Sequence, residues 1–349
     1  MQIHVRPLDA TSESDLLQLN ALDEACDRAL FGGAEVLTIA QRRALLEDTD
    51  YWVNHRFVAE VEMMDGGRSI VGLGAVQLPQ QENTDTAFLG IGVHPAFRGR
   101  GVATALVEEA LLPTFRASGR SLITTWGEIP ADGDPDDPEL PWNRVAARLG
   151  ASRKNLGVCR TLALPLETAL LDELWAEVAE KIAGYSIISW EDAVPERYIV
   201  QYGALLRQLE LDEPDEDVEY DAPEYTPERI RVMEERRRST GKRAIVAIAV
   251  APDGTFAGNS EVEFQTAAGT TVGWQENTLV MPEHRGHRLG LALKVTTHRR
   301  LAAEAPGLTS LVTWNSHVNP WMIQVNEKLG YEIAFREITY QGRPHAAVR

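Results

Sequence analysis

The feature that most constrains this chain's fold is a repeat. A β-type segment, a loop of glycine and arginine, and an apolar helical run occur twice. The first copy is Ala87 to Val93, then His94-Pro95-Ala96-Phe97-Arg98-Gly99-Arg100-Gly101, then a run from Val102 to Ala117. The second is Thr270 to Met281, then Pro282-Glu283-His284-Arg285-Gly286-His287-Arg288-Leu289-Gly290, with the run continuing to Ala305. Arg98 and Arg285 stand 187 residues apart, and Trp126 and Trp314 stand 188 apart. Matching marks follow each loop: a strand ending in Thr125-Trp126 or Thr313-Trp314, and a helix stop at Leu149-Gly150 or Leu329-Gly330. Self-similarity at domain period implies two copies of one unit. The 349 residues are enough for two cores.

The strand–loop–helix order has a chemical use. A helix start exposes unpaired N–H groups and the positive end of its dipole, a seat for phosphate. Gly99 and Gly101 allow close backbone approach, and Arg98 and Arg100 add charged donors. No Gly-Lys-Ser/Thr follows, which excludes a Walker loop, and the three-glycine dinucleotide spacing is absent.

At Arg98-x-x-Gly101-x-Ala103 the chain resembles the GNAT acyltransferases, whose pyrophosphate loop reads Arg/Gln-x-x-Gly-x-Gly/Ala. With the repeat, the resemblance extends over nearly the whole chain as two GNAT domains in tandem. It implies an α/β (α+β) fold in which each domain is a mixed, mostly antiparallel twisted sheet flanked by helices. It also implies acetyl-CoA as co-substrate, with its pantetheine arm between two splayed parallel strands. The cofactor-binding positions it marks in the first half are Ile91, Val93, Arg98, Gly99, Arg100, Gly101, Val102, Ala103 and Thr104. In the second half they are Leu279, Val280, Met281, Arg285, Gly286, His287, Arg288, Leu289, Gly290 and Asn315. There the pattern departs: aligned on Arg285, Arg288 takes the place of the first glycine, and shifted by two, His287-x-x-Gly290-x-Ala292 keeps the glycine and loses the arginine.

Composition narrows the partners. With 34 basic and 52 acidic residues the net charge is −18, which argues against nucleic acid and is compatible with a cationic amine. No apolar run is long enough for a membrane span, and Met-Gln-Ile-His-Val-Arg-Pro has no signal-peptide pattern. Two cysteines, Cys26 and Cys159, make no disulfide framework, so a cytoplasmic protein is expected. No metal-binding spacing is present, and oligomeric state is not legible.

Along the chain, the expected organisation is an N-terminal domain over 1–164, a connecting helix over 165–183 and a C-terminal domain over 184–349. Thr38 reads as an N-cap, and the stretches Asp132 to Asp137 and Asp212 to Asp221 read as acidic loops.

Acyl transfer to an amine needs a base, a polarised carbonyl and a way to release the thiolate. In the family a tyrosine four residues before the last helix's stop glycine commonly supplies the acid. Here that position is Ala146 in the first half and Asn326 in the second. The strand Ala87 to Val93 carries no acid, and Asp85 and Glu128 read as surface residues. Glu276 stands where the family often carries a base, though an outward polar strand residue reads the same way. Glu276 and Asn326 are therefore the catalytic candidates. Asn319 reads first as a helix cap. The expectation is acetylation of a small-molecule amine by direct attack on the thioester, catalysed by the C-terminal half. The alternatives are an active N-terminal half, or a non-catalytic acyl-CoA-binding sensor.

Overall fold

The computed structural model describes residues 1–64, 66–212 and 216–344. Asp65, in the expected hairpin turn, and residues 213–215, in the second acidic stretch, lie outside the described residues. The strands are β1 (Ile3–Pro7), β2 (Trp52–Glu62), β3 (Arg68–Pro79), β4 (Thr86–Val93), β5 (Leu122–Pro130) and β6 (Ser152–Ala163) in the first half. The second half has β7 (Ser186–Glu191), β8 (Lys242–Val250), β9 (Phe256–Gln265), β10 (Val272–Val280), β11 (Ser310–Ser316) and β12 (Glu332–Gly342). All join one sheet in the order β1-β2-β3-β4-β5-β12-β6-β11-β10-β9-β8-β7. Neighbours are antiparallel except β4 with β5 and β10 with β11. This is the mixed, mostly antiparallel architecture that the resemblance implied.

The middle of that order is an exchange. β12 lies between β5 and β6, and β6 lies between β12 and β11. The last strand of each half therefore pairs with the inner strand of the other: Ser310–Ser316 with residues 163–157, and residues 335–342 with residues 130–123. Closing both inner edges leaves no unpaired strand at the junction.

Helices cover both faces. In the first half these are α1 (Glu13–Phe31), α2 (Ile39–Leu46), α3 (Val102–Leu106), α4 (Leu112–Ser118) and α5 (Pro141–Arg148). A π turn over Val107–Leu111 joins α3 to α4, next to Pro113, whose missing N–H and ring disrupt regular helix spacing. Then come α6 (Thr168–Ala179), α7 (Ile199–Asp212), α8 (Pro227–Ser239), α9 (Leu289–Glu304) and α10 (Pro320–Leu329). Thr38 caps α2 in a reciprocal capping box with Gln41, and Asn319 caps α10 by accepting from the Met322 N–H. Leu171, Leu174 and Val178 of α6 join α9 in the largest buried cluster.

The exchange predicts that the repeats do not fold apart. Residues 1–164 and 184–349, expressed separately, should each lack a cooperative thermal transition and regain one on co-expression. A fragment that melts cooperatively alone would contradict this.

Candidate functional site

Each parallel pair opens at the same place. β4 and β5 pair from Thr86↔Leu122 to Leu89↔Thr125, and β10 and β11 only from Val272↔Ser310 to Trp274↔Val312. The repeated Thr-Trp dipeptide builds both partings. Thr125 Oγ1 donates to the Leu89 carbonyl at 2.8 Å, and Thr313 Oγ1 to the Gln275 carbonyl at 3.0 Å. The tryptophan that follows stacks on the facing strand: Trp126 on Phe88 at 5.7 Å and Trp314 on Trp274 at 5.8 Å. A third ring leans on each stack, Trp52 on Phe88 and Phe31 edge-on to Trp274. Phe31 belongs to α1, so the first half walls the second half's site. Ala34 and Thr271 exchange hydrogen bonds along the same seam.

Beyond the stacks the halves differ. The β3–β4 ladder runs unbroken from Gln77↔Phe88 to Gly72↔Val93. In β9–β10 the register slips between Gln275↔Val262 and Thr278↔Ser260, three steps against two, which is a bulge. Two residues past the stacked ring stands Gly90 in the first half and Glu276 in the second. A Cβ on Gly90 would meet only the Ala75 methyl, at 3.7 Å, so the first half has room for an acid there and lacks one.

Glu276 opens into a cavity of about 260 Å³. Tyr202, Leu206, Tyr225 and Met233 form its apolar and aromatic walls, and Glu261 and Glu263 are among its carboxylates. Arg237 pairs with Glu261 at 2.5 Å and with Glu263 at 2.6 Å, and the Tyr202 hydroxyl donates to Glu261. Lys242 bridges Glu263 at 3.8 Å and Glu35, from the first half, at 3.6 Å. Glu276 is exposed at the cavity mouth but ringed by protein. Loss of water pushes its carboxyl up to about 7, Glu263 adds to the shift, and Lys242 opposes it. A carboxylate poised near neutrality can take a proton from an ammonium and pass it to water.

The two loops share one backbone. Gly99 and Gly286 are left-handed, with φ of 73° and 86°, and so are Gly101 and Arg288, with φ of 87° and 59°. Arg288 therefore keeps the loop conformation that the glycine would give, at a steric cost. Nε of Arg98 donates to the Val93 carbonyl and Nε of Arg285 to the Val280 carbonyl, both at 3.2 Å. Arg100 lies over the Phe97 ring, and His287 packs on Tyr185. Gly286, His287 and Arg288 are exposed, as are Gly99, Arg100 and Gly101, while Leu289 and Val102 anchor the helix starts in the core. Ala103, Thr104 and Gly290 are half-buried on the first turns, and a Cβ on Gly290 would clear Val280 by 3.8 Å. Ile91 and Val93 follow the last β4–β5 pair and pack against Val102 and Leu106 of α3. In the second half, Val280 packs toward α9, and Leu279 and Met281 pack toward α7. Exposed left-handed turns ahead of a helix start, beside parted strands, fit an acyl-CoA pyrophosphate and its arm.

The space past each tryptophan is filled differently. In the first half, Gly127 lies under Trp142, whose Cγ would be 2.1 Å from a Cβ there, and Trp142 Nε1 donates to Glu128 at 2.8 Å. Asp85 accepts from Ser121 Oγ and faces Arg343 at 3.5 Å. In the second half Asn315 and Asn326 come together, Nδ2 of Asn326 donating to Oδ1 of Asn315 at 3.3 Å. Asn326 is fully buried and Asn315 is 8% exposed. Glu276 and Asn326 contribute to different groups: Glu276 to the cavity, Asn326 to this buried pair. Reasoning from sequence missed Lys294, whose Nζ donates to Asn326 Oδ1 at 2.6 Å, because a lysine in an apolar helix normally reads as solvent-facing. It also missed the bulge. The signal was present: Phe88 stands ten residues before Arg98, and Trp274 eleven before Arg285.

The acetyltransferase (GNAT) family model matches residues 21–126. A tandem GNAT protein from the clavulanic acid biosynthesis pathway is 25% identical and superposes with a TM-score of 0.76 over 99% of this chain and 100% of its own. A GCN5-related N-acetyltransferase from Sphaerobacter thermophilus shares the fold at 17% identity and a TM-score of 0.61, over 99% and 97% of the two chains. The Saccharomyces cerevisiae N-myristoyltransferase solved with myristoyl-CoA and inhibitors shares it at 11% identity and a TM-score of 0.55, over 98% and 80%. No curated protein sequence matches the chain.

Replacing Arg288 by glycine should relieve the left-handed strain and raise unfolding free energy by up to about 1 kcal/mol in urea titration. A clear loss of stability would show that the Arg288 side chain, rather than its backbone, dominates there.

Proposed function

We propose that this chain is a tandem GNAT acyltransferase that acetylates a small-molecule amine from acetyl-CoA in its C-terminal half. The observation that carries the reading is the bulge of β10, which turns Glu276 into the cavity while the matching position of the first half is Gly90. The acyl-CoA supplies a thioester carbonyl as the electrophile. The cavity's carboxylates suit an acceptor that arrives as an ammonium, and its aromatic and apolar walls suit a carbon skeleton of modest size. Above a pH of about 7 Glu276 is ionised and can accept the amine's proton, directly or through water. Glu276 and Asn277 fall in the bulge of the β9–β10 ladder, and we assign their N–H groups to the carbonyl oxygen as charge builds there. We read the transfer as direct attack of the amine on the thioester; among the described residues no cysteine lines the cavity.

The first half is then a scaffold or a second acyl-CoA seat. Among the described residues no helix is long and apolar enough to cross a membrane, and no group of side chains could hold a metal ion. We read the protein as cytoplasmic.

Glu276→Gln should lower kcat by about a hundredfold or more, leave acyl-CoA affinity in place and remove the fall in rate below pH 7. Unchanged turnover would take Glu276 out of the reaction. Tight acyl-CoA binding with no free thiol released from any amine would identify a sensor instead.

A further inference from the structure

The second half contains a buried cation whose equivalent in the first half is apolar. Lys294 of α9 is 1% exposed, and among the described residues it makes no ion pair. Its Nζ donates to Asn326 Oδ1 at 2.6 Å and lies 5.0 Å from the Tyr331 ring centre. Around it, His298 Nδ1 contacts the Lys294 carbonyl at 2.7 Å, and His298 Nε2 lies 3.4 Å from the Tyr331 hydroxyl. From β6, Arg160 Nε donates to Asn315 Oδ1 at 3.1 Å. Burial lowers the Lys294 ammonium to about 7 and depresses the His298 imidazole to about 3, so His298 stays neutral.

As an ammonium, Lys294 can only donate, and this fixes the amide beside it. With Oδ1 of Asn326 held by Lys294, its Nδ2 turns to β11, where one hydrogen reaches Asn315. Asn315, whose own Nδ2 donates to the Ser316 carbonyl at 2.9 Å, lies three residues past Val312, the last β11 residue paired with β10, so the buried charge sits behind the stretch of β11 where an acyl thioester would enter. The first half shows that packing does not require any of this. Its matching positions are Val107, Ala146 and Gly127. Burying an unpaired cation is costly, and such a cost in one repeat only points to a function.

We propose that Lys294 is a positioning residue for the leaving group: held by Asn326, and with Asn326 bonded to Asn315, it directs a positive potential toward the departing CoA sulfur. This rests on the reading that the C-terminal half carries the reaction. In the step concerned, the amine nitrogen bonds to the thioester carbonyl carbon and its proton goes to Glu276. The carbon–sulfur bond breaks with its electron pair on sulfur. Sulfur leaves as an anion stabilised in place, which accounts for a site without the family's tyrosine.

The test is the thiol titration of bound CoA, followed by ultraviolet thiolate absorbance in the wild type and in Lys294→Met. The wild type should hold the thiol about one unit or more below that of free CoA, and Lys294→Met should abolish the shift and lower kcat about tenfold, with the KM for acyl-CoA unchanged. Methionine matches lysine in length. Lys294→Met/Asn326→Leu, which removes both partners, is read in the same way if the single variant does not fold. Equal thiol titration in wild type and variant overturns the inference, as does a full kcat in Lys294→Met while Glu276→Gln is slow. If both Lys294→Met and Glu276→Gln turn over normally, the choice of the C-terminal half fails along with it.

Discussion

The structure depends on the exchange of β6 and β12. A gap between two parallel strands survives only if each strand is held on its outer side, and here each half borrows that hold. β11 is paired along Ser310–Ser316 by β6 of the first half, and β5 along residues 123–130 by β12 of the second. The parting of β10 from β11 is thus framed by a strand from the other repeat, which also delivers Arg160 to Asn315. The two repeats make one folding unit with two partings.

Within that frame the repeats have diverged in what they bury. The threonine clip, the stacked rings and the arginine that braces the loop occur in both halves. The first half spends its space on packing: Trp142 over Gly127, Val107 in the core, and an unbroken β4. The second half accepts destabilising features, namely a bulge, a carboxyl raised by the protein and the carboxylate around it, and a lysine without a counter-ion. Stability given up in one repeat and kept in its twin is what the proposed division of labour, with the chemistry in the second half, would require.

Much of this was legible in the sequence. Gly99, Gly101 and Gly286 announce left-handed turns, and the twin Thr-Trp and Leu-Gly marks announce twin units. The capping roles of Thr38 and Asn319 follow from residue type alone. The exchange was not legible, because the alternation of β6 or β12 is the same whichever strand lies beside it. Lys294 was hidden for a related reason. Helical periodicity shows which face is apolar, but not that one lysine on that face meets an asparagine from another helix. Phe31 and Glu35 reach Trp274 of the second half's site from about 240 residues away, and no local pattern carries such a contact.

The central claim is that one repeat works while the other supports it, and titration calorimetry with acetyl-CoA tests this most directly. The titration is run on wild type, Gly101→Glu and Gly290→Glu. A carboxylate at either loop opposes a pyrophosphate. The account predicts that Gly290→Glu removes a binding event that Gly101→Glu leaves intact. Loss of all binding in Gly101→Glu, with Gly290→Glu binding as wild type does, would place the acyl-CoA in the first half and contradict it.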